Sequence, residues 1–147
     1  MHSTKHIQPF VQAYLVYEDS VFLVKRRLWV PIGGHLVRGG REPLSMNDVR
    51  NPLSLLEGLV GETVDADGYH LYSNAGFYLV NQYVSLSPRG RIHFNTVYFG
   101  GFKHQPRTVE GSAELFDEKK LARESSQLGN KVLEFSSMAL RFASLNP

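Results

Sequence analysis

Residues 28–36 read Leu-Trp-Val-Pro-Ile-Gly-Gly-His-Leu, an apolar strand-like run that reaches Pro31 and then meets two adjacent glycines. Because glycine has no Cβ, Gly33 and Gly34 permit positive φ angles and the close approach of another chain segment or a phosphate. We therefore predict a backbone turn at the glycine pair, next to a binding site. The glycines alone do not identify the chemistry of that site.

The segment after this stretch carries the signals of a short helix. Residues 37–50 are polar and rich in glycine and arginine, which is typical of a loop. Asn51 is a suitable N-cap, and Pro52 suits the first helical position because no backbone N–H is needed there. The sequence thus predicts a strand, a glycine turn, a loop and a helix over 51–63.

In this arrangement the chain resembles the Nudix hydrolases, whose signature is Gly-x5-Glu-x7-Arg-Glu-U-x-Glu-Glu-x-Gly-U, with U an aliphatic residue. The similar segments occur in family order over most of the chain: 11–17, 21–27, 29–36, 93–99 and 114–117. The resemblance implies an α/β (α+β) fold, an α/β/α sandwich with a mixed central sheet. It also implies a single domain over residues 1–147.

The acidic residues of the signature are largely replaced. Counting from Gly34, the first signature glutamate falls on Gly40, with Glu42 two positions away. When Glu62 is taken as the second glutamate of the pair, the segment before the helix is about nine residues longer than the pattern, and glycine occupies two further glutamate positions, 58 and 61. In that register Glu57 stands in place of arginine and Val64 in place of the closing glycine. Only one carboxylate of four keeps its position.

This loss bears directly on the chemistry that the resemblance implies. Nudix hydrolases cleave a diphosphate linked to another group, using Mg²⁺ or Mn²⁺ held by carboxylates, and Mg²⁺ requires oxygen ligands in near-octahedral geometry. The candidate catalytic residues are Glu62 and Glu57, and the candidate metal ligands are Glu62, Glu57 and Glu42. On a helix, however, Glu57 and Glu62 point about 140° apart, so the two cannot share one ion. Solvated surface is the simpler interpretation of the scattered acids.

The candidate ligand-binding residues surround the glycine pair. They are Gly33, Gly34, His35, Arg27, Trp29 and Arg38. Arginine suits phosphate because its planar guanidinium donates hydrogen bonds in pairs. The alternative for the basic residues is a charged edge that keeps a strand from pairing. Six aromatic residues lie where a base could stack, and core packing is the alternative for each: Trp29, Phe77, Tyr78, Tyr83, Tyr98 and Phe99.

Composition limits the class of protein. The 147 residues are 42% hydrophobic and 20% charged, enough for one core, and no cysteine is present. The net charge of +2 is too small to favour a nucleic-acid partner, and no apolar run is long enough for a membrane span or a signal peptide. We expect a cytoplasmic protein with a small phosphate-containing ligand, and a half-exposed sheet edge would suit a homodimer.

The remaining elements follow from periodicity. We predict a hairpin of strands 10–17 and 21–26 around Glu18-Asp19-Ser20, a pair of apolar strands at 76–80 and 83–86, and a long strand over 91–102. Asp117 should cap a helix over 118–123. A last helix over 130–142 should bury one apolar stripe, formed by Val132, Phe135, Met138, Ala139 and Phe142.

Two functions of different classes fit these observations. In the first, the chain is a pyrophosphohydrolase that acts on a nucleoside diphosphate derivative with Mg²⁺ or Mn²⁺. In the second, it is a non-catalytic binding or regulatory module for a nucleotide-like phosphate ligand and needs no cofactor. A structural or dimerising protein without a small ligand is a third alternative.

Overall fold

The computed structural model describes residues 7–35, 78–86, 89–102, 105–106 and 113–145. In chain order the strands are β1 (Ile7–Tyr17), β2 (Ser20–Lys25), β3 (Trp29–Val30), β4 (Ile32–His35), β5 (Tyr78–Leu86), β6 (Ile92–Gly101) and β7 (Ala113–Phe116). They are followed by helix α1 (Glu118–Arg123), a 3₁₀ turn (Ser125–Gln127) and helix α2 (Asn130–Leu145). The helix and loop predicted over 37–63 lie outside the described residues.

Strand β1 lies at the centre of a mixed sheet. On one edge it pairs in parallel with β6 from Ile7 to Val16, and β5 extends the sheet antiparallel beyond β6. On its other edge, β1 is antiparallel to β2 and to β4. The parallel pair inside an otherwise antiparallel sheet is the mixed sheet that the sequence predicts.

The second edge of β1 is divided between two partners. Leu15 to Tyr17 pair with β2, whereas Phe10 to Ala13 pair with β4. Strands β1 and β2 therefore diverge beyond the Leu15 and Phe22 pair, and the segment 29–35 enters the gap, with Trp29 and Val30 pairing to β2. Pro31 lies where the segment changes partner. It has no N–H to donate, so a break in the ladder at that position leaves no backbone donor unpaired.

The predicted turn at the glycine pair is wrong. Gly33 and Gly34 are inside β4, where they pair with Gln12 and Val11, and neither has a positive φ. Instead of forming a turn, the glycines allow β4 to lie very close to β1. A Cβ on Gly33 would lie 2.7 Å from the Val11 carbonyl oxygen and 3.1 Å from the Gln12 Cβ. The first strand thus needs a residue without a side chain opposite Gln12.

Among the strand predictions, the first hairpin and the long strand near residue 100 are confirmed. Glu18 takes a φ of 55° in the turn between β1 and β2. The predicted pair of strands at 76–80 and 83–86 is wrong, because β5 is one strand from Tyr78 to Leu86 with a register shift between Leu79 and Asn81. A β-bulge interrupts the alternation of inward and outward side chains without ending the strand. A prediction based on that alternation therefore divides the strand in two.

Alternate residues of the strands build two separate apolar layers. Val11, Ala13 and Leu15 of β1 are fully buried on one face together with Phe22, Val24, Ile32, Tyr98 and Phe102. Tyr14 and Val16 point to the opposite face, where α1 and α2 pack. The buried residues there include Val21, Leu23, Trp29, Val97, Phe99, Phe116, Leu121, Leu128, Phe135, Ala139 and Leu140. We call the second layer the helix face of the sheet.

The two helices agree closely with their predicted bounds. Asp117 caps α1, since its carboxylate accepts a hydrogen bond from the Lys120 backbone N–H at 2.8 Å. Helix α2 continues three residues past the predicted end. Met138 is 44% exposed and does not belong to the buried stripe, in which Leu140 takes part instead. No helix among the described residues is long and apolar enough to cross a bilayer.

Substituting Gly33 tests the strand pairing. We expect Gly33→Ala to lower the free energy of unfolding by about 2 kcal/mol, because its methyl group overlaps backbone that cannot move without breaking the ladder. Urea unfolding followed by circular dichroism measures the change.

Gly129→Ala is the matched control. An added Cβ there meets nothing within 4 Å and no positive φ opposes it, so only the poorer capping of α2 by alanine counts and the free energy of unfolding should fall by less than about 1 kcal/mol. Equal stability of the two variants would contradict the tight pairing of β4 with β1.

Candidate functional site

The candidate ligand-binding residues fall into two groups in the structure. Gly33, Gly34 and His35 lie on β4 beside β1, whereas Arg27 and Trp29 lie at the other end of the same segment, beside β2. Arg38 and the candidate acids Glu42, Glu57 and Glu62 lie outside the described residues. Their roles in binding, catalysis and metal coordination stay predictions.

Trp29 is held by packing contacts on the helix face. Its ring meets Phe116 edge-on at a centroid distance of 4.9 Å, and its backbone forms a bridge with Leu128. The Lys25 ammonium lies 5.3 Å from the ring centre. With only 9% of its surface exposed, Trp29 joins the β2–β3 turn to the segment before α2. Its stacking on a ligand stays a prediction.

The basic turn between β2 and β3 is brought close to the start of α2. Arg26 and Arg27 are exposed, and the Arg26 backbone N–H closes the turn on the Leu28 carbonyl at 2.9 Å. The Lys25 ammonium donates to the Gln127 side chain at 3.1 Å, two residues before Gly129 at the head of α2. The Lys25 ammonium thus lies near the start of α2, whose N-terminus has positive electrostatic character.

A network of polar side chains lies on the same face, where the sheet meets α2. The Tyr14 hydroxyl donates to Gln12 Oε1, and Gln12 Nε2 donates to the Tyr83 hydroxyl, both at 3.3 Å. On the neighbouring strand Asn95 Nδ2 donates to Ser85 Oγ at 2.9 Å. We name these five residues, Gln12, Tyr14, Tyr83, Ser85 and Asn95, the polar cluster. It joins three strands by side-chain hydrogen bonds.

The polar cluster is placed by the register of the sheet. Asn95 pairs with Tyr83 on one side and with Phe10 on the other, and Gln12 is opposite Gly33. Directly paired residues point to the same face, so the ladder brings these side chains together. Gln12 and Asn95 are 6% and 4% exposed. Amides as deeply buried as these need hydrogen-bond partners, and the cluster supplies them.

The cluster leaves two hydrogen-bonding groups available. Asn95 Nδ2 faces Ser85 Oγ and the carbonyls of Tyr83 and His93, whereas no donor among the described residues reaches its amide oxygen. The Tyr83 hydroxyl accepts from Gln12, and no acceptor within the described part of the chain takes its proton. A hydrogen-bond acceptor and a donor are therefore available on paired residues of two adjacent strands.

Aromatic rings and a cation border these groups. The Tyr83 ring stacks on Phe135 of α2 at a centroid distance of 5.8 Å, and the Lys131 ammonium lies 5.1 Å from the Tyr83 ring centre. Phe10 and His93 are stacked with an interplanar angle of 4°. This arrangement offers a donor, an acceptor and a positive charge beside aromatic rings, which together suit an aromatic ligand that carries an anionic group.

The protonation of Tyr14 limits what the cluster can do chemically. Burial raises the pKa of the Tyr14 hydroxyl above its ordinary value, and the nearby Tyr83 adds a smaller increase. Tyr14 therefore stays neutral near pH 7 and acts as a hydrogen-bond donor to Gln12, not as a base.

Sequence reasoning missed most of this site. Tyr83 was among the predicted stacking residues, but Gln12, Ser85 and Asn95 were not singled out. The available signal was a long polar side chain inside an otherwise apolar strand, Gln12 in β1 and Asn95 in β6. A buried polar residue in the interior of a strand needs an explanation, and one explanation is that it belongs to a binding site.

The folds of several solved structures match this chain. A Nudix-family hydrolase from Clostridium perfringens superposes with a TM-score of 0.64 at 18% identity, covering 95% of this chain and 98% of that one. The chain has the Nudix fold. A Nudix hydrolase from Nitrosomonas europaea gives a TM-score of 0.60 at 13% identity, with 92% and 89% of the two chains covered. The fold predicted from the residues around the glycine pair is thus confirmed.

A third solved structure with this fold is a UDP-X diphosphatase. It has a TM-score of 0.56 and 15% identity, and the match covers 92% of this chain and 64% of that one. No protein-family model and no curated relative matches the chain. At these identities the comparisons establish the Nudix fold, and the activity has to be argued from the residues.

The buried tyrosine predicts a pH dependence of stability. Because the Tyr14 pKa is higher in the folded chain, its contribution is complete below its unfolded pKa near 10 and is lost as the pH rises above that value. We expect the free energy of unfolding of the native chain to fall above pH 10. Removing one such tyrosine should reduce the slope by up to about 1.4 kcal/mol per pH unit.

The measurement is urea unfolding between pH 8 and pH 11.5 for the native chain, Tyr14→Phe and Tyr78→Phe. Tyr78 is the control because its ring is 45% exposed. Burial also raises the pKa of Tyr98, so some alkaline destabilisation should persist in every variant. Identical slopes for the native chain and Tyr14→Phe would contradict the burial of the Tyr14 hydroxyl.

Proposed function

We propose that this Nudix-fold protein binds a nucleoside diphosphate derivative as a recognition or regulatory module and does not hydrolyse it by metal chemistry. The observation that carries the proposal is the pattern of acids: one carboxylate of four keeps its signature position, and glycine replaces the other three. Glycine has neither charge nor ligand atoms, so these positions cannot contribute to holding Mg²⁺.

The polar cluster supports the recognition half of the proposal. Every nucleobase presents a donor next to an acceptor, and the Tyr83 hydroxyl and the Asn95 amide oxygen offer the complementary pair. We place the base against these two groups. The Lys131 ammonium beside the Tyr83 ring, with Arg27 and Arg38, supplies positive charge for the phosphates. Gly33, Gly34 and His35 belong to β4, which pairs with β1 beside Gln12 of the polar cluster.

The acidic and histidine side chains of the chain offer few ligands for a metal ion. Among the described residues no three His, Asp or Glu side chains are grouped closely enough to hold an ion. The candidates Glu42, Glu57 and Glu62 include one residue in the signature register, and Glu57 and Glu62 diverge on a regular helix. A single carboxylate in the signature register does not fit a site that holds Mg²⁺ with several carboxylates.

A hydrolase is the second candidate, and two observations favour it. Glu62 keeps its signature position, and the solved structures with this fold include a UDP-X diphosphatase. In that case Glu62, with Glu42 from the preceding segment, would bind Mg²⁺ or Mn²⁺ and the chain would turn over a nucleoside diphosphate derivative. Glu57 could take part only if the segment between it and Glu62 is not a regular helix. A cytoplasmic location, a single domain over residues 1–147 and the absence of nucleic-acid or membrane partners belong to both candidates.

Ligand binding is tested with a panel of UDP, ADP, GDP and CDP and their sugar conjugates. At least one should raise the Tm of the native chain, and Tyr83→Phe should weaken its binding by about fivefold in calorimetry, since one hydrogen bond of about 1 kcal/mol is lost. Lys131→Gln should weaken a diphosphate more than the matching nucleoside, because the charge is lost.

Tyr78→Phe is the matched control for Tyr83→Phe. It removes a hydroxyl from the same strand, on a residue outside the polar cluster, and should bind like the native chain. No shift of Tm with any ligand would remove the recognition half of the proposal. Equal affinity in Tyr83→Phe and the native chain would remove the assigned position of the base.

Hydrolysis is tested on the same ligands by ³¹P nuclear magnetic resonance with millimolar Mg²⁺ or Mn²⁺. We expect the diphosphate signals to persist over hours at micromolar protein. Under the second candidate, the signals would disappear with the native chain and persist with Glu62→Gln. Turnover that Glu62→Gln abolishes would thus overturn the non-catalytic assignment in favour of the hydrolase.

A further inference from the structure

Within the polar cluster, three side chains form a path from the buried core to the half-buried end of the cluster. The Tyr14 hydroxyl donates to Gln12 Oε1, and Gln12 Nε2 donates to the Tyr83 hydroxyl, each at 3.3 Å; we name these three side chains the relay. Tyr14 is fully buried, Gln12 is 6% exposed and Tyr83 is half-buried. An amide can bridge two hydroxyls in either of two orientations, so the direction of the relay needs a physical cause.

Burial of Tyr14 is that cause. Its ring meets Phe99 edge-on at a centroid distance of 6.2 Å and lies 5.7 Å from the Phe135 ring, and neither ring carries an acceptor. If the Gln12 amide were reversed, its NH₂ group would donate to Tyr14, and the Tyr14 proton would be buried without a partner among the described residues. A buried donor without a partner is costly, whereas the proton of the half-buried Tyr83 can reach a ligand or water. The relay therefore runs outward from Tyr14.

The direction of the relay determines what the Tyr83 hydroxyl offers. A hydroxyl can donate or accept, and nothing in Tyr83 itself selects one role. Because its oxygen accepts from Gln12, its proton is directed away from the amide, toward groups that approach from outside the cluster. Tyr83 thus acts as a donor to a ligand. That role is set by Tyr14, two hydrogen bonds away.

Asn95 has the opposite role, and its surroundings fix it. Its Nδ2 faces three acceptors, which are Ser85 Oγ at 2.9 Å and the backbone carbonyls of Tyr83 and His93 at 3.3 Å. A reversed amide would place Oδ1 against two carbonyl oxygens, which repel it. The Asn95 oxygen is therefore an acceptor that points away from these groups. Since Tyr83 and Asn95 are directly paired across β5 and β6, a donor and an acceptor of fixed order lie side by side.

Nucleobases fall into two classes with respect to such an ordered pair. In uracil and guanine, which we call the keto class, a ring N–H donor lies next to a carbonyl acceptor. In cytosine and adenine, the amino class, a ring nitrogen acceptor lies next to an amino donor, so the order is reversed. A bound base cannot shift by one ring position without moving its sugar and phosphates. A pair of fixed order therefore favours one class over the other.

We propose that Tyr14 is a positioning residue that acts through Gln12 and Tyr83 to make the site discriminate between bases of the keto class and bases of the amino class. This role rests on the proposed function, because a base must lie against Tyr83 and Asn95. Tyr14 itself touches no ligand. It determines from the core which order of donor and acceptor the ligand has to present.

Calorimetry with two pairs of nucleotides, UDP with CDP and GDP with ADP, tests the discrimination. The members of a pair share charge and ring size and differ in class. We expect the native chain to bind one member of at least one pair about tenfold tighter than the other, or more. Tyr14→Phe should reduce this ratio by about fivefold, because the Gln12 amide loses its preferred orientation. A merely structural loss would weaken both members equally and leave the ratio unchanged.

A double variant tests whether Tyr14 acts through Tyr83. Tyr83→Phe should also reduce the ratio of affinities, and Tyr14→Phe combined with Tyr83→Phe should reduce it no further than Tyr83→Phe alone. Tyr78→Phe is the matched control. It removes a hydroxyl from a residue of β5 that is 45% exposed and outside the relay, and it should keep the native ratio.

Nuclear magnetic resonance measures the direction of the relay without a ligand. In the free native chain, the side-chain amide protons of Gln12 should give stronger nuclear Overhauser effects to the ring protons of Tyr83 than to those of Tyr14, because Nε2 faces Tyr83. In Tyr14→Phe the effects should be shared between the two rings. Stronger effects to Tyr14 in the native chain would overturn the proposal.

The binding results can overturn it separately. An affinity ratio that is unchanged in Tyr14→Phe would do so, as would a double variant whose ratio falls well below that of Tyr83→Phe. Equal affinity of the native chain for both classes would overturn this inference and leave the proposed function standing. If no nucleotide binds, the proposed function falls and the base selection falls with it, whereas the amide protons of Gln12 still decide the direction of the relay.

Discussion

The structure depends on how the two edges of β1 are used. One edge is fully paired with β6, and the other is divided between β2 and β4, so three strands are positioned by one. The division works because β4 approaches β1 very closely at Gly33, where no Cβ fits beneath the Val11 carbonyl. A side chain at Gly33 would push β4 away, and Trp29 and Val30 could then no longer stay paired to β2 without a change in the chain between them.

The same close approach determines the surroundings of the polar cluster. Gln12 has Gly33 on one side and Val97 on the other, so its long amide side chain meets no neighbouring side chain from β4. Its two polar ends are then satisfied by Tyr14 and Tyr83, which lie on the same face. A hydrogen-bonded network of this kind orders the Tyr83 hydroxyl without a ligand, which reduces the entropy lost when a ligand binds.

Elements that depend on residues close together in the sequence are predicted correctly, whereas elements that depend on distant residues are not. The β1–β2 hairpin and the Asp117 cap depend on residues a few positions apart, and the sequence predicts both correctly. The conformation of the glycine pair depends on its pairing with a strand about twenty residues earlier. Because glycine suits both a turn and a close contact between strands, its presence alone does not distinguish the two. Met138 was wrongly assigned to the buried stripe of α2, in which Leu140 takes part instead. Which of the two is buried depends on how the helix lies on the sheet, and the sequence of the helix does not show this. Asn95 was missed because two of its three hydrogen-bond acceptors are on β5, beyond any local pattern.

The proposal of recognition without hydrolysis rests on two features, the replaced acids of the Nudix signature and the polar cluster. The fold is shared with hydrolases, but a fold alone does not fix an activity, which resides in particular side chains. Under the proposed function, the groups that would bind a ligand are built into the sheet, whereas three of the four signature carboxylates are replaced by glycine in the sequence.

The most direct measurement is a crystal structure of the full chain with a nucleoside diphosphate and Mn²⁺, using the anomalous signal of manganese. The account predicts a base hydrogen-bonded to the Tyr83 hydroxyl and the Asn95 amide oxygen, an intact diphosphate near Gly33 and Gly34, and no manganese peak held by protein carboxylates. A manganese ion bound by Glu62 and at least one further carboxylate, beside a cleaved diphosphate, would contradict it.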